Sequence, residues 1–89
     1  MKIKQNFVLR QVADIWVVFP LAEKNLDFNG MLSVTESGVL LWKALEQGCD
    51  MDALVNALLE EYDVSEAKAR MDAEKFVEKL TQLGCLEAD

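Results

Sequence analysis

The residues able to do chemistry in this 89-residue chain are two cysteines, Cys49 and Cys85, sixteen carboxylates and nine Lys or Arg side chains; histidine is absent. Without an imidazole there is no Ser–His–Asp or Cys–His nucleophile, no usual zinc site and no side chain that shuttles protons near neutral pH. The cysteines lie 36 positions apart, each without a second thiol nearby. A metal needs three or four clustered ligands, and a redox pair usually sits as Cys-x-x-Cys. Cys85, between Gly84 and Leu86, reads as a small core hydrophobe. Cys49, just after Gly48, reads as exposed, with nothing beside it to activate a thiolate. The carboxylates fall at helical spacing on solvated faces. No catalytic residue, metal ligand or cofactor is expected, and the chain is not read as an enzyme.

One set of charges is ordered. On a helix turning about 100° per residue, Lys68, Lys75 and Lys79 share a narrow band beside the apolar stripe of Ala69, Ala73, Phe76, Val77, Leu80 and Leu83. Asp72 falls between band and stripe. In a chain of net charge −7 this is the one coherent basic line. It reads either as a solvated flank, with Lys75 and Lys79 paired to Asp72 or Glu78, or as an attractor for an acidic ligand. Between Ala44 and Ala67, by contrast, stand seven acidic residues and no Lys or Arg. Duplex binding draws its affinity from neutralised phosphates, so this surface excludes a nucleic-acid partner.

The elements that must position these residues follow from periodicity. A hydrophobic fraction of 52% with 28% charged residues is globular, and the length suits one domain spanning 1–89. Phe7–Val12 and Ile15–Phe19 are rich in β-branched and aromatic residues and are joined by Ala13-Asp14, which predicts a hairpin that Pro20 ends. Leu21–Leu26 reads as a polar connector. Asn29-Gly30 marks a tight turn into a short third strand, Met31–Val34. From Thr35 the period becomes helical. Thr35 or Ser37 caps a first helix that Gly48 stops. Asp50 caps a second, with Met51, Leu54, Val55, Leu58, Leu59 and Tyr62 as its stripe; Ser65 caps a third that Gly84 ends. The fold class is α+β: a small winged helix-turn-helix, a three-stranded antiparallel sheet followed by three helices, with strands within 4–34 and helices within 35–84. The apolar runs are too short to span a bilayer and no targeting signal is visible, so a cytoplasmic protein without a membrane partner is expected.

The third strand, short and leading straight into a helix, is placed to lie at a sheet edge. An edge exposes unpaired N–H and C=O groups that an extended peptide can use by adding a strand. With the third helix alongside, strand and helix would wall a groove. Met31 and Leu32 would take alternate peptide residues and the lysines would attract acidic ones. Alternation also requires about half of Met31, Leu32 and Val34 to be core.

These residues resemble the PqqD-like family, named after protein D of pyrroloquinoline quinone synthesis. The resemblance runs from Phe7-Val8-Leu9-Arg10 through Phe28–Trp42, which is similar to the family's strand followed by Leu-Asn-Glu-Thr-Gly-x-x-x-Trp. It continues through Ala57–Val64 and Phe76–Leu86. Two departures are mild: Val34-Thr35 stands for Leu-Asn, and Ser37-Gly38 for Thr-Gly. The Glu23–Asp27 connector looks specific to a subgroup outside pyrroloquinoline quinone synthesis proper. The resemblance implies a RiPP recognition element, which holds the leader segment of a ribosomally made precursor and presents its core segment to a modifying enzyme, there a radical S-adenosylmethionine protein. It implies that the leader pairs on the third strand and lies against the third helix. By position, the peptide-binding residues are Met31, Leu32, Ser33, Val34, Lys68, Asp72, Lys75, Phe76 and Lys79.

The expected function is thus a noncatalytic peptide-binding adaptor, a monomer or a weak dimer through its edge strand. The alternative is a structural or regulatory subunit that docks an enzyme through the acidic second helix without binding the precursor. The residues name neither the precursor nor the product.

Overall fold

The computed structural model describes residues 1–5, 7–20 and 32–87. Strands β1 (Phe7–Val12) and β2 (Ile15–Pro20) form a hairpin, followed by β3 (Leu32–Val34) and helices α1 (Glu36–Gln47), α2 (Met51–Glu61) and α3 (Glu66–Gln82). Among the described residues the sheet order is β1-β2-β3, antiparallel throughout, so β3 lies at an edge. Met31, expected to open the third strand, and the Asn29-Gly30 turn lie outside the described residues.

Two residues, Ala13 and Asp14, turn the hairpin, and Ala13 takes a left-handed φ of 56°. Pro20 closes β2 as its last paired residue, opposite Phe7, rather than following the strand. That placement suits a residue unable to donate onward. Register assigns the two faces. Phe7, Leu9, Trp16, Val18, Leu32 and Val34 point toward the helices, and all six belong to the core or pack against it.

Each helix starts on a side chain that satisfies a free backbone N–H. Thr35 Oγ1 accepts from the Gly38 amide at 3.2 Å, Asp50 Oδ1 from Ala53 at 2.9 Å and Ser65 Oγ from Lys68 at 3.2 Å. Of the two caps open for the first helix, Thr35 serves, with the Ser37 hydroxyl 3.1 Å away. Gly48 stops α1 at φ 86°. At the end of α3, Gly84 at φ 73° lets its own amide reach Thr81 O and the Cys85 amide reach Leu80 O, a Schellman closure. Tyr62 departs from the expected α2 stripe. The chain turns extended there (φ −128°), so Tyr62 caps the helix and stays 36% exposed.

The core centres on Trp42, Leu45, Leu54, Leu80 and Val18, all fully buried, with Cys85 among them. Burial raises the Cys85 thiol to about 11 and also raises Cys49, which is half-buried rather than exposed. The chain ends close the core from below: Lys4 N donates to Cys85 O and Glu87 N to Lys2 O, both at 2.8 Å, around an Ile3–Leu86 bridge. No helix among the described residues is long and apolar enough to cross a membrane.

Candidate functional site

The site is built on β3, the start of α1 and the outer edge of α3. Val34 must turn the chain from strand into helix within two residues, and it does so with its side chain buried on the helix side of the sheet. Four residues later, α1 presents Gly38. A Cβ placed there would stand 2.5 Å from Val34 Cγ1 and 3.2 Å from Phe76 Cε1. Glycine therefore lets the strand and the third helix close on the same point of α1. Helix α1 packs against both β3 and α3 and holds them as two walls.

Of the nine residues expected to bind peptide, eight fall within the described residues. Leu32 and Val34 face the helices, half-buried and buried. Ser33 is exposed on the opposite face. Phe76 is half-buried against the core beside Gly38. Lys68, Lys75 and Lys79 are exposed along the edge of α3, and Asp72 lies between them and the core. The ion pairing differs from the expected flank: Asp72 is taken by Lys68, at 3.3 Å, not by Lys75 or Lys79. Positions 68 and 72 are i,i+4 neighbours and 72 and 75 are i,i+3 neighbours, so spacing alone allows either pair. Among the described residues Lys75 and Lys79 form no ion pair, so their charge is available to a ligand.

Three features carried no sequence signal of their own. Gly38 enters the sequence pattern only as the second residue of Ser37-Gly38, which gives no sign of what packs against it. Ser37, Leu58, Tyr62, Val64 and Asp72 line a cavity of about 190 Å³ where α1 begins, α2 ends and α3 passes. Arg70, on the far side of α3, binds Asp52 at 3.0 Å and reaches Glu66 at 3.9 Å. Its hydrogen bond to Asp52 raises the guanidinium pKa further and ties α3 to acidic α2. No three His, Cys, Asp or Glu side chains among the described residues are grouped to hold a metal ion.

Among the described residues a sheet edge thus lies beside a helix bearing unpaired lysines, an arrangement that an extended peptide can use by adding a strand. The family model of coenzyme PQQ synthesis protein D (PqqD) matches residues 16–86, and the chain belongs to that family. Its members of this kind, RiPP recognition elements, are noncatalytic. The structure is similar to TbiB1 in complex with the TbiA(beta) leader peptide, with 26% identity over all of both chains and a TM-score of 0.77. It shares its fold with lasso peptide synthetase B1 complexed with the leader peptide, with 16% identity over 98% of this chain and 96% of that one, and a TM-score of 0.76. No match was found among curated proteins.

Proposed function

We propose that this protein binds the leader segment of a ribosomally made precursor peptide and presents the attached core segment to a modifying enzyme of the radical S-adenosylmethionine type in the cytoplasm. The leader adds as a strand to β3, through main-chain hydrogen bonds to the backbone of Leu32, Ser33 and Val34. Its alternate side chains enter the space between β3 and α3, against Leu32, Val34 and Phe76. Lys75 and Lys79 draw acidic residues, while Lys68 and Asp72 set the charge at the start of α3. Met31, which precedes Leu32 in the sequence, is proposed as a further peptide contact. The protein acts as a monomer or a weak dimer.

The observation carrying this reading is β3, a sheet edge held by Gly38 next to Phe76 of α3. The likeness over the full chain to a protein complexed with a leader peptide supports it. A segment that orders on binding loses conformational entropy, so affinity should be moderate and salt-sensitive. Fluorescence titration with synthetic peptides, covering the short reading frames beside the gene, tests it. Saturable binding by one peptide, weakened by added salt, is expected. No binding by any of them would contradict the reading.

A further inference from the structure

The sheet face turned away from the helices carries Val8, Arg10 and Val12 on β1, Ile15, Val17 and Phe19 on β2, and Ser33 on β3. An antiparallel sheet with one solvated face normally places polar residues outward. Here that face is mostly apolar. Val12 and Ile15, directly paired across the hairpin, are 57% and 54% exposed, whereas Val17 beside them is buried. Val12, Ile15, Val17 and Ser33 line a concavity of about 340 Å³ that extends from the hairpin to β3.

Strand addition gives that concavity an occupant. Residues directly opposite one another in a sheet share a face, so a peptide residue opposite Leu32 or Val34 points toward α3, and the one opposite Ser33 points outward. Ser33 pairs with Val17. The outer row across the sheet is therefore Arg10, Val17, Ser33 and then the peptide residue. Serine is the smallest side chain in this row and leaves a notch between the incoming residue and Val17. A large side chain lying across it would pack on the buried Val17 and cover the exposed flank of Ile15, whereas a small or charged one would leave the Ile15 flank in water.

We infer that the protein reads its peptide on both faces: the concavity over Val17 takes one bulky aliphatic or aromatic side chain, that of the residue paired with Ser33. This rests on strand addition at β3, and it adds a specificity position on the side of the sheet remote from α3.

A displayed library of random short peptides, selected on the whole chain, tests it. Binders are aligned by amide hydrogen exchange and by cross-links to residue 33. The expected result is enrichment of Leu, Ile, Phe, Tyr or Trp at the position opposite Ser33. Ile15→Lys should then weaken a selected peptide about tenfold and, on reselection, turn that position toward Asp and Glu. Val12→Ser, a milder change at the same exposed pair, should weaken binding in the same direction if Ile15→Lys fails to fold. Binders that protect β3 but show no preference opposite Ser33, with affinity unchanged in both variants, would overturn this inference and leave strand addition standing. A library that yields no binder protecting β3 would overturn both. Self-association of the free chain, abolished by Ile15→Lys without effect on peptide affinity, would assign the face to a second copy and overturn it too.

Discussion

Val34 of β3 and Phe76 of α3 close on one point of α1, the bare Cα of Gly38. A methyl group there would come within 2.5 Å of the first side chain and 3.2 Å of the second. The distance between the groove's two walls is set at this point. Val34 is β-branched and held in a strand, so it has little freedom to swing aside. Any side chain at position 38 must displace the Val34 side chain, or the strand that carries it, and crowd Phe76.

Gly38→Ala should destabilise the protein by about 1–2 kcal/mol, since overpacking outweighs the gain of about 1 kcal/mol in helix propensity. It should also weaken peptide binding. Adding Val34→Ala should recover part of the binding loss by clearing the nearer contact. Chemical denaturation and peptide titration of the two variants check both statements. A Gly38→Ala protein as stable as the parent would show that the walls yield freely.

The lysines should separate by function. Lys68 is held by Asp72 in an exposed pair, and such pairs contribute about 0–1 kcal/mol. Lys68→Ala should therefore change stability by less than about 0.5 kcal/mol. Lys75→Glu with Lys79→Glu should leave stability similarly unchanged and weaken an acidic peptide about tenfold at low salt, with the difference shrinking as salt is added. Titration at two ionic strengths measures this. Equal affinities would remove the lysines from the account.

Ala13 holds a left-handed φ of 56° in the two-residue hairpin turn. Left-handed geometry costs an L-residue about 1–2 kcal/mol, and glycine's extra freedom in the unfolded chain returns about half of that. Ala13→Gly should thus stabilise the fold by about 0.5 kcal/mol, read from denaturant midpoints at constant slope. A lower midpoint would mean that the turn favours the methyl group.

Cys85 gives the stability a pH limb. Burial raises its pKa from 9.0 to about 11, so the folded protein holds the thiol proton more tightly than the unfolded chain. The folded state keeps this advantage below pH 9 and loses it as pH rises from about 9 through 11. Stability should decline across that window by roughly 2 kcal/mol more in the parent than in Cys85→Ala. Denaturation at a series of pH values compares them. Parallel curves would mean that the thiol titrates alike in both states.

The helices were legible because their signals are local: Thr35, Asp50 and Ser65 accept from the amide three residues on, and Gly48 and Gly84 take the positive φ that ends a helix. The lysine line follows from angular spacing alone. Contacts between elements carried no such mark. A glycine in a helix gives no notice that Val34 and Phe76 press on it. Neither does Lys68 announce that it, rather than Lys75, will hold Asp72. Tyr62 fits the α2 period, but the chain leaves the helix there and the ring turns to the surface. The pairing of residues 2–4 with 85–87 joins the two ends of the sequence, and alternation over three residues is too short to predict it.

Residue-resolved amide hydrogen exchange, with the leader peptide and the modifying enzyme added separately, shows which surface each partner covers. If strand addition at β3 is correct, the leader slows exchange at those amides of Leu32, Ser33 and Val34 that face away from β2, with weaker effects on α3 around Phe76. Protection confined to Asp50–Glu61 when the enzyme is added, with β3 unchanged by the leader, would contradict it and assign the function to the acidic face of α2.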